Sequence, residues 1–293
     1  MRTALFTNVA LLGDGVCNIP SVKKWSEENP EYNIELRVQN QRFCNIYKGL
    51  DFCTTVISKE EDFEKVKFPE DREDYDFFYC LTNPKEEITP SAIAWQSKCH
   101  LIEGCSNLLL KKSVSPIPIL PRLEPKNYLD VPYLSVVPWA GHHTNNDGSN
   151  ERSLSYNIWR KILKFLSPKI KIVIFGHPGS PWELFSKYVK PNNNIIFADI
   201  PEVKDSVEYI VSNNSYGFIG MDSGITHCVS GAINQIQRGW FPTVFLPAHV
   251  PDLPVIYPHG IPKKNMVVYR NDHRTTNYAS IYPIFKSFIN LII

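Results

Sequence analysis

The 293-residue sequence has no apolar run approaching the ~20 residues that a membrane-spanning helix needs, and it has no surplus of charge. Its 31 Lys and Arg nearly cancel 30 Asp and Glu, for a formal net charge of +1. A balance this close gives no global attraction to nucleic acid, although it leaves room for a local basic groove. Seven cysteines are odd in number, scattered, and never at CxxC spacing. This argues against a disulfide framework or a zinc site, and for reduced thiols in the cytoplasm. Internal repeats and low-complexity tracts are missing too, and 43% hydrophobic with 21% charged residues excludes a disordered or fibrous chain. The opening apolar stretch meets Gly13 and Asp14 too soon for a signal peptide and has no small-residue cleavage site. It reads as a first buried strand and its turn. Asn213-Asn214-Ser215 fits a glycosylation acceptor by pattern only.

What is present is an alternation of strand and helix signals, the pattern of an α/β protein with largely parallel sheets. In the first half, strands are expected at Thr3–Asn8, Asn33–Val38 and Tyr75–Cys80. A helix is expected from about Gly15 to Asn29, and another from about Pro90, where proline suits a first turn. Five prolines between Ser113 and Pro132 preclude regular structure there and mark an extended linker. The second half is a doubly wound unit by pattern. Its strands are expected at Tyr133–Pro138, Ile170–Gly176, Asn194–Ala198, Tyr216–Gly220 and Thr243–Leu246. Its helices are expected at Ser153–Leu166, Pro181–Val189, Val203–Ser212 and Gly224–Gln235. These strands are short and almost unbroken in apolar character, as when helices cover both faces. The expected domains are 1–125 and 126–293, with a last helix at Tyr278–Ile292 that can pack back on the first domain.

Three stretches carry candidate chemistry. Gly13-Asp14-Gly15 follows the first strand, where ligands of doubly wound sheets bind. Its glycines allow close backbone approach, and Asp14 can act as a general base or simply cap the helix. With Asn18 where a third glycine would stand, this is not the dinucleotide fingerprint. Gly220-Met221-Asp222-Ser223-Gly224-Ile225-Thr226-His227 lies between a strand and a helix start. Backbone amides of Ser223, Gly224 and Ile225, with the hydroxyls of Ser223 and Thr226, would cradle a phosphate there. The competing reading is a capped helix with His227 in the core. The long polar loop from Trp139 to Arg152 contains His142, His143 and Thr144, and Arg152 can clamp a diphosphate through its planar fork. Adjacent histidines seldom supply two metal ligands, so no metal site is expected. Asp74-Tyr75-Asp76 has the form of a metal-holding D-x-D, but precedes its strand within an acidic run. Cys17 lacks a supporting His or Asn pattern for a nucleophile.

Together these stretches resemble the heptosyltransferase family, glycosyltransferase family 9. The run from Leu12 to Val22 looks like that family's opening, in which G-D is followed by an apolar segment and a proline. Arg152-Ser153-Leu154-Ser155 with Trp159 resembles K-x-W-P-x-x-x-W, with Arg152 for lysine and with Leu154 and Ser155 in place of the Trp-Pro pair. Gly220 to His227 resembles G-x-D-T-G-x-x-H, with Ser223 for threonine. Gly239-Trp240-Phe241-Pro242-Thr243-Val244 is similar to G-x-P-x-V with one extra residue, and Gly176 matches a strand-to-glycine turn. The resemblance implies a GT-B fold, two Rossmann-like domains facing across a cleft, the second holding a nucleotide-sugar donor and the first the acceptor. It implies Asp14 as catalytic base. It also implies Arg152 and the loop from Asp222 to His227 around the donor diphosphate, inversion at the anomeric carbon, and no cofactor or metal. The acceptor would be a glycan or lipopolysaccharide, or a hydroxymethylated base of phage DNA.

Two other classes remain open to the sequence. A nucleotide-sugar epimerase of the same fold would work on the donor without an acceptor. A non-catalytic module would bind nucleotide-sugar or nucleic acid, using Lys111, Lys112, Arg122 and Lys126 near the linker and Lys263, Lys264, Arg270 and Arg274 further on.

Overall fold

A computed structural model describes residues 2–10, 12–39, 44–60, 62–82, 89–140, 153–176, 182–247, 256–269 and 276–292. The chain forms two compact units. The first comprises residues 1–123 with 254–260, and the second 124–253 with 261–293.

The first unit runs β1 (Arg2–Asn8), α1 (Leu12–Glu28), β2 (Tyr32–Gln39), β3 (Thr54–Ser58), α2 (Phe63–Lys67), β4 (Phe77–Cys80), α3 (Pro90–Ser97) and α4 (Leu101–Leu110). Its strands are parallel in the order β3-β2-β1-β4. β1 is central and buries Ala4, Leu5 and Phe6 completely. β2 alternates instead. Ile34, Leu36 and Val38 face the core, while Glu35 and Arg37 lie on the other face. There Arg37 binds Glu35 at 2.7 Å and Asp71 at 2.8 Å, and the Tyr75 hydroxyl donates to Glu35 at 2.9 Å. β4 opens two residues later than the sequence pattern suggests. The Asp76 carboxylate is occupied in accepting the Thr3 amide at 2.7 Å, which fixes the start of β1. α4 is capped by His100, whose Nδ1 accepts from the Ile102 amide at 3.1 Å, while Glu103 accepts the His100 amide at 2.8 Å.

The second unit runs β5 (Tyr133–Val137), α5 (Tyr156–Leu166), β6 (Lys171–Gly176), α6 (Trp182–Tyr188), β7 (Ile195–Asp199), α7 (Val203–Ile210), β8 (Ser215–Met221), α8 (Gly224–Gln235), β9 (Thr243–Leu246), β10 (Met266–Val268) and α9 (Tyr278–Ile292). All six strands are parallel, ordered β10-β9-β8-β5-β6-β7. Every residue of β5 and β9 is buried, which is why their sequences read as continuous apolar runs. α5 buries the stripe Ile158, Trp159, Ile162, Leu163 and Leu166. α9, for which the sequence left open a packing on the first domain, belongs to the second unit and packs on α5 and β9 through Ile281, Phe285, Phe288 and Ile289.

Residues 113–132 contain no helix or strand, and the division between the units falls inside them, at Leu123 and Glu124. The linker's second part is anchored on α7. Glu208, 2% exposed, accepts the Glu124 amide at 3.0 Å and pairs with Lys126 at 3.4 Å and with Lys204.

Candidate functional site

In a doubly wound sheet the strand order reverses on either side of the strand that starts the winding. Loops leaving the carboxyl ends there diverge and leave a crevice for ligand. In the second unit this happens between β5 and β8. The segments after those two strands are residues 139–152, of which 141–152 lie outside the described residues, and the Asp222–Ser223 turn, two of the stretches singled out from sequence.

β8 carries its strand geometry through Gly220 and Met221, one residue further than expected, so only Asp222 and Ser223 form the turn. The Asp222 amide donates to Leu246 at 3.2 Å, tying the turn to the end of β9. Gly220 has a steric reason to be glycine: a Cβ there would lie 2.4 Å from the Phe218 ring and 2.6 Å from Thr226 Oγ1. Its absence lets the end of β8 pack directly against the first turn of α8.

Ser223 is the extended N-cap residue of the 12-residue α8, but its hydroxyl makes no capping bond. It lies 3.4 Å from Thr226 Oγ1, which itself donates back to the Met221 carbonyl at 2.6 Å. The N-cap hydroxyl of Ser223 is thus turned away from the first-turn amides. The amides of Gly224, Ile225 and Thr226 precede the helix's own ladder, which begins with His227 donating to Ser223 at 3.3 Å. A helix start of this kind favours an anion through its leading amides and its dipole. Asp222 and His227 are buried at 7% and 5% exposure, so His227 packs into the unit rather than standing in solvent.

Ala140 and Ser153, the described residues on either side of 141–152, are bonded to each other. Ser153, 1% exposed, accepts the Ala140 amide at 2.8 Å and donates to the Ala140 carbonyl at 3.3 Å. This clamp was not foreseen from sequence. The only signal was a hydroxyl residue just ahead of an amphipathic helix. His142, His143, Thr144 and Arg152 lie outside the described residues.

In the first unit, the order reverses between β1 and β4, and the segment leaving β1 enters α1. α1 opens at Leu12, three residues earlier than expected. Gly13, Asp14 and Gly15 therefore form its first turn rather than a loop before it, and Asp14 is not the cap residue. Asp14 is exposed, and a carboxylate in a first turn is favoured by the dipole. Asn8 holds this entry, donating to the Gly15 carbonyl at 3.0 Å and accepting the Ala10 amide at 3.4 Å. A Cβ on Gly15 would come 2.1 Å from the Tyr47 hydroxyl, so glycine allows Tyr47 to seat beneath the turn.

The remaining sequence candidates take structural places. Cys17 is fully buried with Leu101 and Ile102. The thiols of Cys105 and Cys228 are wholly enclosed; burial pushes Cys105 up to about 12 and Cys228 up strongly as well, the reverse of nucleophile activation. Asp74, Tyr75 and Asp76 sit at the amino ends of the strands. A cavity of about 420 Å³ there, lined by Thr3, Glu35, Asp71 and Asp74, lies at the opposite end of the sheet from Asp14. Lys112 pairs with Glu28, Lys126 with Asp205 at 2.7 Å, and Lys111 donates to the Leu108 carbonyl at 3.2 Å. Arg270 and Arg274 lie outside the described residues. Among the described residues no group of His, Cys, Asp or Glu is arranged to hold a metal ion, and no helix is long and apolar enough to cross a membrane.

No family model and no curated protein matches the chain by sequence. Solved structures do match its fold along its whole length. An E. coli ADP-heptose lipopolysaccharide heptosyltransferase II superposes with TM-score 0.69 at 11% identity, covering 99% of each chain. A glycosyl transferase family 9 protein from Veillonella parvula gives 0.62 at 15% identity, covering 100% of this chain and 90% of the other. An E. coli heptosyltransferase solved with ADP gives 0.60 at 12% identity, covering 98% of this chain and 100% of the other. The two parallel-sheet α/β units share the fold of these structures, the GT-B fold that the motifs implied.

Proposed function

We propose that the chain is an inverting glycosyltransferase that moves a sugar from a nucleoside-diphosphate donor to an acceptor hydroxyl without a metal ion. The observation that carries this reading is the start of α8 at the switch point of the second sheet, where the N-cap hydroxyl of Ser223 makes no capping bond and Thr226 is turned back to the Met221 carbonyl. As the glycosidic bond breaks, charge grows on the leaving diphosphate. Amides fixed at a helix start stabilise that charge without reorganising, and Arg152 adds a bidentate cation. Asp14 takes the proton of the acceptor hydroxyl as it attacks the anomeric carbon from the face opposite the leaving group. The donor is an ADP-sugar by analogy with the neighbour solved with ADP, and the acceptor is a glycan. The DNA-acting reading draws little support, because Lys112 and Lys126 are already paired with carboxylates of their own units. All seven cysteines are described and none is in a disulfide, which suits a cytoplasmic setting.

The test is a thermal-shift screen against nucleoside diphosphates and nucleotide-sugars, with and without EDTA. The expected result is selective stabilisation by an adenosine diphosphate ligand that survives EDTA, following RT ln(1 + [L]/Kd). Stabilisation that EDTA abolishes would end the metal-free reading, and no shift with any ligand would end the donor-site reading. With substrates in hand, Asp14→Asn should still fold cooperatively, with at most a small loss of melting temperature from the helix start, and lower turnover by ~10²–10⁴. Product analysis distinguishes transfer from epimerisation: transferred sugar supports the proposal, and an epimerised donor without transfer refutes it.

A further inference from the structure

We infer that the amino-terminal rim of the second sheet is a docking surface for anionic lipid bilayers. Seven large hydrophobic side chains are exposed among the described residues, and four of them meet here: Trp240 at 53%, Tyr216 at 45%, Val131 at 43% and Leu291 at 41%. Strand register brings them to one end. Thr243 pairs with Phe218 on one side and Met266 on the other, so Trp240, Tyr216 and the Lys263–Lys264 pair all lie at the strand starts. The Asn265 side chain binds the Gly239 carbonyl at 2.9 Å, tying the two-lysine turn to the loop that presents Trp240. Val131 precedes β5 on the same edge, where Tyr133 pairs with Ser215. A Cβ on Gly217 would lie 3.2 Å from Phe288 and 3.3 Å from Ile292, so the end of α9 that carries Leu291 reaches this edge too.

The chemistry of the rim selects the partner. Tryptophan and tyrosine each have an apolar body and a polar tip, which suits the headgroup layer rather than a dry interface. Lys263 and Lys264 are exposed beside them, and residues 238–242, 261–266 and 284–292 contain no acid. The surface is therefore complementary to a negative leaflet. Asp130, exposed beside Val131, works against this at one end and centres the binding on Trp240. The Asp222–His227 turn lies at the far end of β8. Seven residues at ~3.3 Å each put it about 20 Å from the rim, so docking would leave it on the side away from the lipid. This inference is independent of the transfer reading.

The experiment is sedimentation of the full chain with vesicles of phosphatidylcholine alone, and of phosphatidylcholine with an equal part of phosphatidylglycerol. The expected result is binding to the anionic vesicles only, weakened by salt. Lys263→Gln with Lys264→Gln should weaken partitioning about 30-fold, roughly fivefold per lysine squared. Trp240→Ala should weaken it without changing the melting temperature, because the side chain stands in solvent. Absence of binding to the anionic vesicles would overturn the inference. So would binding that neither variant changes, or a concentration-dependent dimer that both variants abolish in the absence of vesicles.

Discussion

Gly220→Ala probes the junction on which the candidate donor site depends. The added methyl group would sit 2.4 and 2.6 Å from two carbons of the Phe218 ring and 2.6 Å from Thr226 Oγ1, whereas real Cβ contacts essentially never fall below 3.0 Å. Neither neighbour can yield easily. Phe218 is fully buried, and Thr226 is held by its 2.6 Å bond to the Met221 carbonyl. Overpacking of this kind costs about 1–3 kcal/mol. In a unit of this size each kcal/mol lowers the melting temperature by about 2–4 °C, so a loss near 5 °C is expected. The relief available to the structure is displacement of α8's first turn, and nucleoside diphosphate affinity should therefore fall as well. Gly239→Ala is the control, since nothing lies within 4 Å of a Cβ there and its conformation is not left-handed. It should melt at or slightly above the wild-type temperature. Calorimetry reads the first effect and nucleotide titration the second. A Gly220→Ala protein that melts and binds as wild type would refute the close packing of β8 on the first turn of α8.

Two further expectations concern positions outside that turn. Ser153→Ala removes the buried hydroxyl that clamps Ala140. It should cost about 1–3 kcal/mol by equilibrium denaturation, while Ser153→Thr, which keeps the hydroxyl, should cost less. At acid pH the Arg37 guanidinium, bonded to Asp71, holds that carboxyl below its usual range. The pair's stabilisation is complete above the ordinary carboxylate pKa and is lost as pH falls through the lowered one. Melting temperatures measured between about pH 5 and pH 2 should show a shallower acid decline for Asp71→Asn than for wild type. Parallel curves would dismiss Asp71 as a contributor.

The sequence by itself determined the class of fold and the level of the sheet at which its candidate chemistry sits. Burial on both faces requires uninterrupted apolar strands, so β5, β6, β8 and β9 announce themselves, and α8 and β9 have the bounds that their patterns imply. Short strands that are only partly buried do not. β3 begins with two threonines and buries none of its residues fully, and β10 is three residues long, so neither rises above loop composition. Helix starts were misplaced where the signal was tertiary. α1 opens before its glycines because Asn8, at the end of β1, and Tyr47, from a distant turn, hold that entry. Only the folded chain decided that Asp14 stands in a helical turn, that Ser153 reaches back 13 residues to Ala140, and that Thr226 is turned to Met221 instead of a cap. Periodicity records which face of an element is buried. Bonds from a side chain to remote backbone depend on distances that exist only once the sheet and its helices have packed.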